Sequence, residues 1–278
     1  MTFSERMMSI DRRIIYLLLF LCLSIPLIKP IGLPLSVGKD TKGLYEYIDK
    51  LPAGSRIVIS MDTSPGGWGE VMPGALALVD HLVSKGAKIY VMGYFDTGPS
   101  LFEAAVNSTA LGKKTYGVDW VNLGYRAGGE NGISAFAGDV IKTFPKDFRG
   151  NDTTKLEIMK DIKTAKDFSL IITVSSGTPG TPEWVRQVRD PMGVPLACMV
   201  VAVNVPGLAP YIQSKQVIGL IAGLRGAAEY EQLRNTPGLG SAGMDAQSIS
   251  HLLVLILVIL GNVGYLTSSK AKPKKGGR

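Results

Sequence analysis

The stretch VISMDTSPGGWGE, residues 58–70, decides the fold class. Its apolar run ends in Asp62 and predicts a buried β-strand, and the Pro-Gly-Gly tripeptide at 65–67 predicts a turn after it. Residues 72–86 then carry apolar side chains at helical spacing. A strand, a turn and a helix in this order are typical of one unit of an α/β sheet.

The alternation of apolar runs and amphipathic segments continues along the chain. Strands are predicted at residues 56–62, 87–93, 119–125, 169–176, 195–203 and 216–223. Helices are predicted at residues 72–86, 99–112 and 181–193 and from Gly226 onward. Most of the strand runs are continuously apolar, as expected for parallel strands that are covered on both faces. The sequence therefore predicts an α/β domain over residues 38–249, with a mostly parallel sheet and flanking helices.

Polar side chains gather where the predicted strands end. They are Asp62, Thr63, Ser64, Asp96, Thr97, Ser175, Ser176, Thr178 and Asn204. The carboxyl ends of parallel strands meet at one edge of a sheet, where loops can aim side chains into a common crevice. We therefore expect a ligand site at this edge. The alternative is that these residue types only cap helices and form turns.

One segment carries a family resemblance. The Pro-Gly-Gly loop is followed by a helical pattern over residues 75–84 and by a predicted strand that ends at Gly93. In this order, residues 64–117 resemble the core of the ClpP/crotonase-like class, which includes Clp protease, signal peptide peptidase A and NfeD-type membrane serine peptidases. The resemblance implies that fold or a related doubly wound one. It also implies that Gly66 and Gly67 line an oxyanion or peptide site.

The residues expected for peptidase chemistry are incomplete. Thr97 stands where the resemblance places the nucleophilic serine, and Ser100 follows three residues later. An internal threonine lacks the N-terminal amine that usually activates this residue type. The two histidines, His81 and His251, lie in predicted helices, where packing or interfacial roles are expected. Signal peptide peptidases use a lysine base, which makes Lys142, Lys146 and Lys155 candidates, with Lys146 the first choice, although their polar surroundings predict a solvated loop.

Two apolar segments flank the predicted domain. Residues 14–37 follow two arginines and contain a single charged residue, Lys29, near their end. They predict a retained signal anchor, because a small-residue cleavage site is missing; a cleaved signal peptide is the alternative. Residues 250–266 predict a second, short transmembrane helix.

The positive charge of the chain lies at its ends. Residues 1–29 carry a net charge of +2 and residues 267–278 carry +5, which together give the total of +7 and leave the centre neutral. The positive-inside rule therefore places the segments 1–13 and 267–278 in the cytoplasm and the domain outside, with the inverted topology as the alternative. A neutral domain argues against binding of nucleic acid.

Other motifs give few functional signals. The sequence has no HExxH, CxxC, Walker or GxGxxG pattern, so we predict neither a metal nor a cofactor. Cys22 and Cys198 cannot form a disulfide within the domain, because Cys22 lies in the first apolar segment. In GLRGAAEYEQL, Arg225 with Glu229 and Glu231 could bind an anion, or only cap the helix and form a salt bridge. The endings GLRGAAEYE and GMDAQS also resemble a family of two-anchor membrane proteins, which supplies no residue roles.

The sequence as a whole predicts a domain held at the bilayer. Its predicted role is non-catalytic and lies in assembly, scaffolding or binding of another membrane protein or a peptide, with self-association into a homo-oligomer. One alternative is a signal-peptide-peptidase-like serine or threonine peptidase with a lysine base. The other is a small-molecule sensor at the sheet edge.

Overall fold

A computed structural model describes residues 11–270 of the chain, with side chains described for residues 11–267. The described chain forms two compact units. One is Pro34–Gly240, and the other comprises the described parts of both ends, up to Leu33 and from Ser241. Residues 1–10 of the predicted N-terminal cytoplasmic segment and residues 271–278 of the predicted basic tail lie outside the described residues.

The unit Pro34–Gly240 is built on one sheet of six parallel strands. The strands are β1 Arg56–Asp62, β2 Lys88–Gly93, β3 Trp120–Tyr125, β4 Leu170–Ser175, β5 Leu196–Val200 and β6 Leu220–Ala222. Their order is β3-β2-β1-β4-β5-β6, and every neighbouring pair is parallel. This confirms the predicted parallel α/β sheet, and each strand falls inside a predicted run. The order reverses between β1 and β4, as in doubly wound sheets.

Eleven α-helical segments lie among the described residues. They are α1 Arg12–Ile28, α2 Lys39–Asp49, α3 Pro65–Ser84, α4 Gly98–Ala105, α5 Gly129–Gly138, α6 Val140–Thr143, α7 Thr181–Trp184, α8 Asp190–Met192, α9 Val205–Gln213, α10 Gly223–Leu233 and α11 Leu239–Lys270. A π-helical segment, Val185–Arg189, joins α7 to α8. Short 3₁₀ turns lie at Val106–Ser108, Ala110–Lys113, Thr153–Lys155, Glu157–Met159, Ala165–Asp167 and Ala202–Asn204.

Helices cover both faces of the sheet, and each face has its own apolar core. Ile57 and Ile59 of β1 pack in a cluster with side chains of α2, α3, α4 and α10. Val58, between them, points to the other face and packs with side chains of α5, α6, α7 and α9. This alternation follows from the two-residue period of a strand. It explains why the strands are apolar at nearly every position.

The predicted helix at residues 99–112 is shorter than expected. Its α-helical part, α4, ends at Ala105, and two 3₁₀ turns follow. The hydroxyls there bond to the local backbone: Ser108 donates to the carbonyl of Ala105, and Thr109 accepts from Leu111 N. Such bonds compete with a continuing α-helix.

The two ends of the chain differ in how well they fit a membrane span. Among the described residues, one helix is long and apolar enough to cross a membrane, at Leu239–Thr267. It includes the predicted residues 250–266 and starts earlier. The predicted span at residues 14–37 is helical only to Ile28; Pro26 lies inside the helix, and Pro30 disfavours helical backbone at the preceding Lys29, which is extended. The 17 residues of α1 reach about 26 Å, less than a hydrocarbon core of about 30 Å. A span by this segment stays a prediction.

Candidate functional site

The carboxyl ends of β1 and β4 lie side by side at the centre of the sheet edge. Asp62, the last residue of β1, pairs in register with Ser175, the last residue of β4. The segment after β1 runs into α3 and the segment after β4 runs toward α7. Their diverging paths make this edge the expected place for a ligand in a doubly wound sheet. The structure thus brings together several of the polar residues that the sequence singled out.

Asp62 is the carboxyl at this edge whose pKa differs from its ordinary value. Its side chain accepts hydrogen bonds from Ser60 Oγ and from Tyr94 N, the latter at 2.6 Å. Complete burial raises the pKa of Asp62 to about 6, although these bonds and one from Phe95 N favour the ionised form. The buried Trp184 indole lies beside the carboxyl and lowers its pKa slightly, but Nε1 forms no well-directed hydrogen bond with a described residue. Asp62 therefore titrates near neutral pH inside the fold.

The raised pKa of Asp62 predicts that the domain is more stable in mild acid. The folded state holds a proton on Asp62 up to about pH 6, whereas the unfolded chain releases it near pH 4. The contribution of Asp62 to the free energy of unfolding should thus fall by roughly 2–3 kcal/mol between about pH 4 and pH 7. Urea unfolding across this range should show this loss in wild type and lack it in Asp62→Asn. If the free energy of unfolding changed with pH in the same way in both proteins, the raised pKa of Asp62 would be wrong.

The Pro-Gly-Gly segment is the first turn of a helix, not a loop. Helix α3 begins at Pro65 rather than at residue 72, because Ser64 caps it: Ser64 Oγ accepts from Gly67 N at 3.3 Å. Gly67 N also donates to the carbonyl of Ser64 at 3.1 Å. Its N–H is therefore occupied, which argues against the implied oxyanion role of Gly67. Gly66 is exposed.

The glycine at position 67 has a packing reason. A Cβ on Gly67 would lie 2.2 Å from Ser176 Cβ, so the first turn of α3 can approach the end of β4 only without a side chain here. Two further bonds hold the same junction: Ser64 N donates to Ser176 Oγ at 3.0 Å, and Ser176 N donates to the carbonyl of Asp62 at 3.2 Å. Ser64 and Ser176 are thus engaged with each other and with the backbone.

The expected peptidase residues are not assembled into a dyad. Thr97 Oγ1 donates to the carbonyl of Thr63 at 3.1 Å and sits just before α4. Ser100 is exposed on α4, and Asp96 is exposed in the turn before it. Lys146 is exposed in a loop, where it pairs with Asp152 in an isolated antiparallel bridge. Within residues 11–267, no hydrogen bond joins Lys146 to either hydroxyl.

Of the two histidines, His81 has a packing role. His81 is buried in α3, where its Nδ1 lies 2.8 Å from Tyr230 Oη and its ring stacks on Tyr45. Burial lowers the pKa of His81, which favours the neutral ring. His251 is exposed on α11, the helix that fits a membrane span.

A cleft of about 320 Å³ opens beside this junction, between the ends of β4 and β5. It is lined by Ser175, Gly177, Thr178, Thr181, Pro182, Glu183, Val200, Val203, Asn204, Gly207 and Leu208. Ser175, Thr178 and Asn204 were predicted at this edge. Thr181 and Glu183 were missed, because they sit in a segment whose pattern predicts only a helix. The volume falls at the small end of the range for ligand sites.

Arg225 forms a salt bridge, as one of the two predicted alternatives had it. Its Nε lies 3.0 Å from Glu229 Oε1, one turn along α10. Glu229 is buried, and its other oxygen accepts from Gly38 N and from Thr41 Oγ1 at 3.1 and 2.9 Å. The pair therefore ties α10 to the start of α2. Among the described residues, the contacts of Arg225 and Glu229 support the salt bridge and give no indication of a bound anion.

A buried carboxylate in the unit formed by the chain ends was not predicted. Asp245 of α11 accepts three successive backbone N–H groups, from Ile31, Gly32 and Leu33, at 2.7, 2.8 and 3.0 Å. These bonds fix the chain after α1 to α11. An acidic residue just before a long apolar run is the signal that could have indicated such a bond.

Across the described residues, no group of three His, Cys, Asp or Glu side chains is placed to hold a metal ion. Comparisons with family models, with curated proteins and with solved structures find no match to this chain. Its function is therefore inferred from its own residues.

Proposed function

We propose that this chain is a membrane-anchored, non-catalytic α/β binding domain. Its terminal apolar helices hold the domain at a bilayer, and the carboxyl edge of its sheet receives a ligand or a segment of a partner protein. The observation that carries the non-catalytic part is the hydroxyl of Thr97, which donates to the carbonyl of Thr63 at 3.1 Å. The ClpP-like resemblance stays a prediction about the origin of this architecture.

The exposed side chains of the terminal helices support membrane anchoring. On α11, Leu252, Leu255 and Ile259 are each more than half exposed, and Tyr16 and Phe20 of α1 are about two-thirds exposed. Water-facing helices of soluble proteins rarely present so much contiguous apolar surface. The hydrocarbon chains of a bilayer would cover this apolar surface and remove it from water. The proposed topology keeps both ends of the chain in the cytoplasm, as the terminal charges favour.

The bonding of Thr97 supports a role without covalent catalysis. A nucleophilic hydroxyl needs a base that takes its proton. Here the proton of Thr97 points to a backbone carbonyl, which cannot act as such a base, and Lys146 lies in an exposed loop. The same bond ties the start of α4 to the end of β1. We infer that the hydroxyl at this position has a structural role.

A fluorophosphonate probe tests the non-catalytic proposal. We expect no covalent labelling of the purified full chain, because within residues 11–267 neither Thr97 nor Ser100 is hydrogen-bonded to a side chain that could act as its base. Mass spectrometry of the intact protein measures the label, and a serine hydrolase treated in the same detergent is the positive control. Labelling that disappears in Thr97→Ala or Ser100→Ala would establish the peptidase alternative instead.

Self-association is part of the proposal and needs its own measurement. Two membrane helices would restrict the domain to one orientation on the bilayer, which favours contacts between copies in the membrane plane. Sedimentation or mass photometry of the protein in nanodiscs distinguishes monomers from homo-oligomers. If the protein is monomeric at all concentrations, the proposed self-association is wrong, whereas the proposed binding role is unaffected.

A further inference from the structure

We propose that the cleft between β4 and β5 binds a small, neutral ligand that carries an amide group and an aliphatic part. This inference rests on the proposed binding role and gives it a ligand class. The cleft occupies about 320 Å³ and is lined by both polar and apolar side chains.

The strongest indication of a ligand is Ser175. Only 2% of this residue is exposed, yet its hydroxyl makes no hydrogen bond with any described residue. Its oxygen is not among the fully buried atoms that lack a partner, so it is open to the cleft, where a water molecule or a ligand can satisfy it. Because Ser175 lines the cleft, a bound molecule would be that partner. Its neighbour Thr181, by contrast, is satisfied by Thr173, with 2.9 Å between the two hydroxyl oxygens.

Asn204 supplies the complementary amide. Its side chain lines the cleft, is half-buried and makes no hydrogen bond with a described residue. A side-chain amide offers both a donor and an acceptor. A ligand amide can therefore pair with Asn204 through two bonds and take a third from Ser175. Thr178 adds an exposed hydroxyl at the rim.

The charges around the cleft favour a neutral ligand. Glu183 is the one charged residue that lines it. Both of its oxygens are engaged, since Oε2 accepts from Gly180 N at 2.8 Å and Oε1 accepts from Arg186 Nη2 at 2.9 Å. No uncompensated charge remains among the described lining residues to pair with an ionic ligand. Transfer of an unpaired ion from water into such a cleft is unfavourable.

The apolar walls define the rest of the ligand. Val200 and Leu208 are buried at the sides of the cleft, and Val203 is 83% exposed beside it. No aromatic ring is among the lining residues, so a platform for stacking a base or a sugar ring is missing. Aliphatic side chains of this kind fit an aliphatic group. An amide with a branched aliphatic side chain, as in a capped amino acid, combines these requirements.

Three related probes separate neutral from charged ligands. They are N-acetyl-leucine amide, which is neutral, N-acetyl-leucine, which is an anion, and leucine amide, which is a cation. Saturation-transfer NMR on the full chain in nanodiscs measures binding. We expect roughly millimolar affinity for the neutral probe, as about a dozen heavy atoms allow, and at least about tenfold weaker binding of the charged probes.

Two variants locate the binding. Ser175→Ala should weaken binding of the neutral probe by about threefold to tenfold and leave stability unchanged, because its hydroxyl has no partner among the described residues. Gly207→Leu should abolish binding by filling the cleft; a Cβ at Gly207 meets no atom within 4 Å, and urea unfolding of the variant checks that the larger side chain leaves the fold intact. Ser134→Ala, on the exposed surface of α5, is the matched control and should bind as wild type does.

The remaining outcomes overturn the inference. If the neutral probe does not bind saturably, the cleft does not bind a neutral aliphatic amide and the proposal is wrong. Equal binding of charged probes, or binding that neither cleft variant changes, would place the interaction elsewhere. None of these results depends on fluorophosphonate labelling, so a failure of this inference is distinguishable from a failure of the non-catalytic proposal.

Discussion

Gly67→Ala is expected to lower the free energy of unfolding by roughly 2–3 kcal/mol, whereas Gly66→Ala should be neutral or slightly stabilising. The Cβ added at position 67 would lie 2.2 Å from Ser176 Cβ and 2.8 Å from Ser176 Oγ. Relief of this overlap requires α3 to move away from the end of β4, at a cost typical of overpacked cores. The shift would also stretch the hydrogen bond from Ser64 N to Ser176 Oγ.

The neighbouring glycine is the matched control for this experiment. A Cβ on Gly66 meets only Ser64 Oγ, at 3.8 Å, and the residue is exposed in the first turn of α3. Alanine is favoured over glycine in a helix by up to about 1 kcal/mol, so this variant should lose no stability. Urea unfolding of the detergent-solubilised full chain, followed by tryptophan fluorescence, measures both variants. Equal stability of the two would show that α3 and β4 do not pack as described.

The pair of variants also separates two interpretations of the Pro-Gly-Gly segment. If both glycines served only to let a ligand approach the backbone, both alanine variants would fold normally and bind less well. If the second glycine serves helix-to-strand packing, Gly67→Ala alone loses stability. The contact with Ser176 favours the second interpretation.

Asp245→Ala is expected to release the segment after α1 from α11. The substitution leaves the N–H groups of Ile31, Gly32 and Leu33 without their acceptor. Hydrogen bonds to an ionised group are the stronger ones, and the loss of three should cost roughly 3 kcal/mol or more. Amide hydrogen exchange at these three residues should therefore accelerate by about a hundredfold. Exchange mass spectrometry of the full chain in detergent measures the change.

Two further variants show whether the carboxylate itself is responsible. Asp245→Asn keeps an acceptor of nearly the same shape but loses the charge, so its exchange rates should lie between those of wild type and Asp245→Ala. Gln247→Ala alters an exposed residue of the same helix and should leave exchange at residues 31–33 unchanged. Protection that persists in Asp245→Ala would mean that other contacts hold the segment.

Most of the sheet could be predicted from the sequence, because a strand buried on both faces requires a local run of apolar side chains. The runs that hold β1 and β4 needed no tertiary information. Helix boundaries were less predictable. The sequence predicts a turn at residues 65–67 and helical apolar spacing only from residue 72, whereas α3 begins at Pro65. The contact that favours a glycine at position 67 involves Ser176, which is distant in the chain.

The candidate site, like the fold, was predictable from the sequence only in part. The sequence determined which polar residues follow the strands and, through the strands, that they share one edge of a parallel sheet. Only the tertiary structure decided what each one does. Thr97 bonds to a backbone carbonyl, burial raises the pKa of Asp62, and Ser175 lines a cleft without a partner among the described residues. Strand and helix patterns are local, but hydrogen bonding and burial depend on partners distant in the chain, which no local pattern specifies.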